Sequence, residues 1–348
     1  MNPTAHITHL GPITPDNGLR PLDQSSDGRY KTGINGVNSI ATTGDGKVEF
    51  VSFAGASGAD DNSLACVKSA LAFPAYYPLH PTKLTYPVNA VMMDLDGTSV
   101  RSEEFWIWII ELTTASLLGN KSFSFEAADI PFVSGHSVSE HLNYCIEKYC
   151  PSATLVAARQ YYFEHTHREM KEIMEGRGRT DAFSPTPGLK DFLLELKSMD
   201  IKIGLVTSGL YEKAWPEILS AFRTLNMGAP VEFYDAIITA GYPLRKGQAG
   251  TLGELAPKPH PWLYAECAVS GLGIPFTDRN SVLGIEDSGA GVCSIRIAGY
   301  PTAGIGGGNI KDSGTLAMCD YYCETLPAIM DIIKGNIQKT LKQEPQNL

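Results

Sequence analysis

The chain is 348 residues long, 43% hydrophobic and 19% charged, with a formal net charge of −10. That length provides for a large buried core and more than one domain. The acidic balance, with no basic run carrying interleaved aromatics, argues against nonspecific nucleic-acid binding, while a small anionic substrate stays compatible because local cations or a metal override the global field.

Seven cysteines without CxxC spacing read as reduced thiols of a cytoplasmic protein. Cys319 and Cys323 would face one another on a helix, in a structural role. Met1 to Gly18 lacks a basic segment followed by an apolar one, so no signal peptide is expected. The most apolar window, Phe105 to Leu118, is interrupted by Glu111 and too short for a bilayer, and no membrane association is expected.

Residues 1–85 are rich in Gly, Asn, Asp, Ser and Pro, with turn signals at Asp16-Asn17-Gly18 and Gly44-Asp45-Gly46. Within them Lys47 to Phe53 alternates as a strand, and Asn62 to Leu71 suggests a short helix. This region is expected to be either a loosely ordered extension or a small appendage, of unknown role. From residue 86 the pattern becomes regular. Apolar runs at 89–94, 201–207, 235–239, 281–285 and 301–305 predict buried parallel strands, and helical patterns lie at 188–199, 211–225, 261–271 and 287–298. Alternation of this kind predicts an α/β fold, a Rossmann-like core spanning 86–101 and 180–348 with helices on both faces of its sheet. The interval 102–179 reads as all helix, with Ser102 as N-cap, Glu103 and Glu104 in the first turn, and Gly119 as stop. Further helical patterns fall at 138–149 and 152–177. Inserted after the first strand, this block would sit over the strand ends as a cap, where ligands bind in such sheets.

Polar residues of a matched kind stand at the predicted strand ends. Val91-Met92-Met93-Asp94-Leu95-Asp96-Gly97-Thr98 delivers two carboxylates, two residues apart, into a turn. On a strand they would emerge together, which is costly unless a cation or a proton sits between them. The second run ends in Thr207-Ser208-Gly209, Lys258 is held between Pro257 and Pro259 before a helix, and a further run ends in Glu286-Asp287-Ser288. Phosphoryl transfer asks for each of these. A phosphate dianion repels an attacking carboxylate, so Mg²⁺ is the expected cofactor, bound by Asp94, Asp287 and the backbone carbonyl of Asp96, with Glu286 as a direct ligand or orienting a metal-bound water. Thr207, Ser208 and Lys258 would hold the phosphoryl oxygens. Asp94 would attack phosphorus to form an aspartyl-phosphate, and Asp96 would protonate the leaving oxygen and then deprotonate the hydrolytic water.

The order DxDGT, Thr-Ser, Lys-Pro, Glu-Asp-Ser over about residues 88–310 resembles the haloacid dehalogenase superfamily, in particular the branch with a helical cap between the first two motifs, as in β-phosphoglucomutase and phosphoglycolate phosphatase relatives. Pro185-Thr186-Pro187-Gly188 and Ala290-Gly291-Val292 followed by Ala298-Gly299-Tyr300 extend the likeness. The resemblance implies a Rossmann-like core, Mg²⁺ dependence and the aspartyl-phosphate route. With Asp96 two past the nucleophile, it implies phosphatase or phosphomutase chemistry rather than carbon–phosphorus cleavage, although Lys258 to Trp262 is similar to phosphonatase text. Departures bear on the choice. Arg101 stands where the family usually has Asp, Trp106 where β-phosphoglucomutases carry a cap histidine, and Val138, in Gly135-His136-Ser137-Val138, where mutases carry an arginine for a second phosphate. These favour a phosphatase of a sugar or polyol phosphate over a sugar phosphomutase. A non-catalytic phosphate-binding scaffold, with residues 1–85 recruiting a partner, is the alternative of another class, and the oligomeric state is left open.

Lys246 also resembles the family's lysine text, but Lys258 is preferred because Lys-Pro precedes a helix. His165 and His167, two apart on a helix, would diverge onto a solvated face rather than share a metal. His136, His141, Trp106 and Trp108 are minor candidates for substrate contact. The glycines at 304–308, at 289–291 and at Gly46-Lys47 lack dinucleotide or P-loop spacing.

Overall fold

The computed structural model describes residues 5–55, 62–68, 74–133, 138–241 and 257–336. Its N-terminal part is an antiparallel meander of β1 (Arg20–Leu22), β2 (Val37–Thr42), β3 (Val48–Phe53), β4 (Asn62–Val67) and β5 (Ala75–Pro78), in spatial order 1-2-3-4-5. The expected strand over 47–53 is therefore present. The expected helix over 62–71 is not. Asn62–Val67 pairs with β3 on one side and β5 on the other, and that two-sided pairing outweighs the helix preference of its Leu and Ala.

Nor is this region a loose extension. Ile7, Leu19, Val48, Phe50, Ala65 and Val67 share one buried cluster with Val292, Cys293, Ile297, Ile310 and Met318 of the main body. The buried Arg296 crosses the junction, donating through Nη1 to the carbonyl of His80 at 2.7 Å and through Nη2 to that of His9.

The main body is a six-stranded parallel sheet of β6 (Ala90–Asp94), β7 (Lys202–Val206), β8 (Ala236–Ile238), β9 (Val282–Glu286), β10 (Thr302–Ile305) and β11 (Tyr321–Cys323), in spatial order 8-7-6-9-10-11. Its central strand alternates faces as period two demands. Val91, Met93 and Leu95 pack with α4 (Leu189–Ser198), α5 (Tyr211–Leu225) and α8 (Leu326–Ile333), while Ala90 and Met92 pack with Leu263 and Tyr264 of α6 (Trp262–Glu266) and Ile295 of α7 (Gly289–Ile297). Both faces are thus covered by helices, as expected of a parallel sheet. One expectation fails at the sheet edge: Cys323 lies on β11 and Cys319 just before it, so the pair does not share a helix. β11 is only three residues long and pairs on one side alone, with β10, so no local pattern announces it. Both cysteines are free thiols.

Between β6 and β7 lies a helical insert of α1 (Glu103–Leu118), α2 (Val138–Tyr149) and α3 (Leu155–Met174). Its two linkers leave the sheet side by side, Val100–Arg101 pairing antiparallel with Ser184–Pro185. None of the described helices is long and apolar enough to cross a membrane.

Phe50 is fully buried where the N-terminal sheet packs on α7 of the main body. Phe50→Ala is expected to lower the unfolding free energy by about 3–5 kcal/mol. Denaturant titration should show this as a shift of a single transition, whereas a separate early transition would mean that the N-terminal sheet unfolds on its own.

Candidate active site

Asp94, Asp96, Thr207, Ser208, Lys258, Glu286 and Asp287 meet at the C-terminal edge of the sheet, while Trp108 lies away from the cleft and Lys246, His136 and Ser137 lie outside the described residues. Asp94 ends β6 and is in register with Val206, so Thr207 follows at the next strand, while Ile285 pairs with Met93 and brings Glu286 alongside. After Asp94 the chain reverses tightly. Gly97, at φ +87°, donates to the carbonyl of Val100 at 2.7 Å, and a side chain there would run into Asp287, its Cβ 2.1 Å from Oδ2. Ser99 Oγ fastens the turn by donating to the carbonyl of Asp94 at 2.6 Å.

Asp94, Glu286 and Asp287 are buried, with a ligand oxygen of each within 4.8 Å of the others. The Lys258 ammonium, 6% exposed, donates to both Asp94 and Glu286. Glu286 is otherwise saturated. Its Oε1 accepts from Tyr264 Oη at 3.0 Å, and its Oε2 from the backbone N–H groups of Asp287 and Ser288 at 3.1 and 3.0 Å and from Ser288 Oγ at 2.9 Å. Its carboxylate also fills the space where a side chain on Gly291 would lie. Thr98 Oγ1 donates to Asp287 Oδ1 at 3.2 Å.

Burial, and then the nearby Glu286 charge, push the carboxyls of both Asp94 and Asp287 well up. Burial would lower the Lys258 ammonium, but Asp94 and Glu286 outweigh it and raise it. One ammonium thus faces three carboxylates, and the surplus negative charge on hard oxygen donors is what a divalent cation such as Mg²⁺ accepts. The residues present fit that ion.

Asp96 has a different setting. It lies two residues beyond the strand, and its carboxylate accepts from Thr207 Oγ1 at 3.2 Å, Ser102 Oγ at 2.7 Å and Lys213 Nζ at 3.0 Å. The two aspartates therefore hydrogen-bond to different ammonium groups, Asp94 to Lys258 and Asp96 to Lys213. Burial alone would raise Asp96, but Lys213 and the Ser102 hydrogen bond outweigh it and hold it below the usual carboxylate range. Ser102 occupies the N-cap position of α1 as expected, yet its hydroxyl serves Asp96 and makes no capping bond. Ser208 Oγ accepts from the backbone N–H of Lys258 at 3.1 Å, joining the two loops.

Lys213, Glu217 and Tyr264 were not anticipated. Lys213 lies one helical turn before Glu217, a spacing that marks a same-face pair but does not reveal that Glu217 is buried and Lys213 half-buried near the site. Its ammonium lies 4.4 Å from the centre of the Trp106 ring, and Trp106 Nε1 donates to Glu217 Oε1 at 2.7 Å. Trp106 is thus largely buried and joins the insert to α5. His165 and His167 take separate partners, Ser116 at 2.8 Å and Glu212 at 2.7 Å. The site opens into a cleft of about 1460 Å³, walled by Arg101, Trp106 and His141 of the linker and insert and by Asp45, Lys47 and Lys68 of the N-terminal sheet.

Residues 91–227 match the family model described as haloacid dehalogenase-like hydrolase. No curated protein matches the chain. Among solved structures, it is similar to a mutant of CbbY from Rhodobacter sphaeroides in complex with xylulose-(1,5)bisphosphate, at 18% identity and a TM-score of 0.51 over 69% of this chain and 95% of that one. It is similar also to a predicted phosphatase from Clostridium acetobutylicum, at 15% identity and a TM-score of 0.51 over 73% and 100%. A predicted phosphoglycolate phosphatase from Haemophilus somnus gives 16% identity and a TM-score of 0.50 over 71% and 99%. At these identities the likeness is one of fold.

Burial, and then the Asp96 charge, raise the Glu217 carboxyl well above its ordinary 4.5, so the folded protein keeps a proton there that the unfolded chain releases. Stability is expected to fall as pH rises from about 4.5 through the raised folded value. Glu217→Gln should remove that share of the fall while preserving the Trp106 bond. Glu217→Ala, which orphans Trp106 Nε1, should cost about 1–3 kcal/mol at pH 7 in denaturant titration.

Proposed function

Because this chain belongs to the haloacid dehalogenase superfamily of hydrolases, we propose that it is an Mg²⁺-dependent phosphatase acting on a small phosphorylated metabolite of the sugar or polyol phosphate class. The observation that carries the reading is the pairing of a buried Asp94, held by Lys258, with a separately held Asp96 at the end of the same strand. The complex of one fold neighbour with a sugar bisphosphate supports the substrate class.

In this reading the Asp94 carboxylate attacks phosphorus and the ester oxygen departs, taking a proton from Asp96. Asp96 then takes a proton from water as that water attacks the phosphorus of the aspartyl-phosphate, releasing phosphate and restoring Asp94. Lys213, Ser102 and Thr207 hold Asp96 in the ionised form needed for the second half. An incoming phosphate dianion adds negative charge beside it and favours the protonated form needed for the first. Lys258, Thr207 and Ser208 stand at the same rim as donors for phosphoryl oxygens, and Glu286 holds Lys258 in place. Mg²⁺, held by Asp94, Asp287 and the backbone carbonyl of Asp96 with Glu286 behind them, would neutralise the charge between phosphate and attacking carboxylate. The helical insert acts as a cap over this rim.

The test is phosphate release from para-nitrophenyl phosphate and from a panel of phosphorylated sugars and polyols with Mg²⁺. Asp94→Asn is expected to abolish turnover, and Asp96→Asn to lower kcat by about 10²–10⁴-fold. Equal activity in wild type and Asp94→Asn would overturn the assignment of the nucleophile, and turnover of a sugar 1-phosphate without phosphate release would make the protein a mutase.

A further inference from the structure

The N-terminal sheet lies outside the segment that matches the family model, yet it reaches the cleft. Lys47, at the end of the β2–β3 turn, forms an ion pair with Glu140 in the first turn of α2, Nζ to Oε1, at 2.9 Å. The bond runs from the N-terminal sheet directly to the helical insert. Both residues line the same cleft as Asp94 and Asp96.

The base of this tie is rigid. Asp45 Oδ1 accepts from Thr43 Oγ1 at 2.6 Å and from the backbone N–H of Lys47 at 3.1 Å, which closes the turn. The Asp45 N–H donates to the carbonyl of Ser313 at 3.0 Å, and Gly44 packs so closely on Ser313 and Gly314 that a Cβ there would come 2.9 Å from the Ser313 carbonyl oxygen. Lys68 braces the turn, its N–H donating to the carbonyl of Lys47 at 3.1 Å and its ammonium pairing with Glu49 at 2.7 Å. The insert, by contrast, joins the main body covalently only through its two paired linkers, and it leans on α5 through Trp106–Glu217 and His167–Glu212.

We propose that Lys47 is a positioning residue: through Glu140 it holds the insert over the cleft from the N-terminal side, so that the N-terminal sheet sets the closed position of the cap during hydrolysis. The hydrolytic part of this inference rests on the phosphatase reading above; the mechanical part does not. A partly exposed pair contributes modestly, and that suits a contact that must break and reform as substrate enters and product leaves.

Charge reversal in the full chain tests it, with Lys47→Glu, Glu140→Lys and the double variant. Amide hydrogen exchange of α2 is read against that of α4, alongside kcat and KM for para-nitrophenyl phosphate with Mg²⁺. Each single reversal is expected to speed exchange in α2 about two- to fivefold, leave α4 unchanged, and raise KM by a similar factor with a smaller effect on kcat. The double reversal should return both readouts toward wild type. Singles that exchange like wild type, a double variant that merely sums the singles, or a loosened α2 with unchanged KM would each overturn the proposal. Exchange needs no turnover, so failure of the phosphatase reading would show separately, as equal activity in Asp94→Asn.

Discussion

The Lys258 ammonium among three buried carboxylates is the constraint on which the site depends. An isolated buried carboxylate is costly, and a cluster of them more so. The chain meets that cost with one buried cation and a dense set of donors around Glu286. Asp94 and Glu286 come from distant parts of the sequence, and the parallel pairing of β6 with β9 brings them together. The sheet order is therefore an electrostatic requirement as much as a packing solution. The glycines at 97 and 291 belong to the same requirement, since a methyl group at either would displace a carboxylate that the cluster needs.

A second consequence is the division between Asp94 and Asp96. Two carboxylates so near in sequence would behave as one coupled unit if they shared a cation. Burial and the neighbouring Glu286 charge raise Asp94 despite Lys258, whereas Lys213 and Ser102 hold Asp96 low, so the two have different proton affinities. In the proposed mechanism, the distinct roles of nucleophile and acid/base rest on that asymmetry of surroundings, not on the residue type.

Much of this was legible in the amino-acid sequence because it is encoded locally. Ala90–Asp94, Lys202–Val206 and Val282–Glu286 are short, mostly apolar runs with polar ends, the length and pattern of buried parallel strands. The first helix of the insert was equally plain from Ser102 and Gly119 at its ends. What escaped notice depends on distant partners. Asn62–Val67 is a strand because two other strands flank it, and Tyr321–Cys323 because β10 does. Ser102 carries a capping signature but spends its hydroxyl on Asp96. Lys213 looks like any solvent-facing lysine of an amphipathic helix until Trp106 and Asp96 close around it. The N-terminal region was the least readable part, since its Gly- and Asn-rich turns conceal a sheet whose apolar face only makes sense against α7.

The paired linkers of Val100–Arg101 and Ser184–Pro185 have an evolutionary corollary. Where the chain departs and returns at a single point, the intervening segment can grow, shrink or be exchanged without shifting the register of any strand. Selection on what the enzyme accepts and selection on how it reacts can then act on separate stretches of the gene. A lineage with such an architecture can diversify its substrates while its reaction centre stays as inherited.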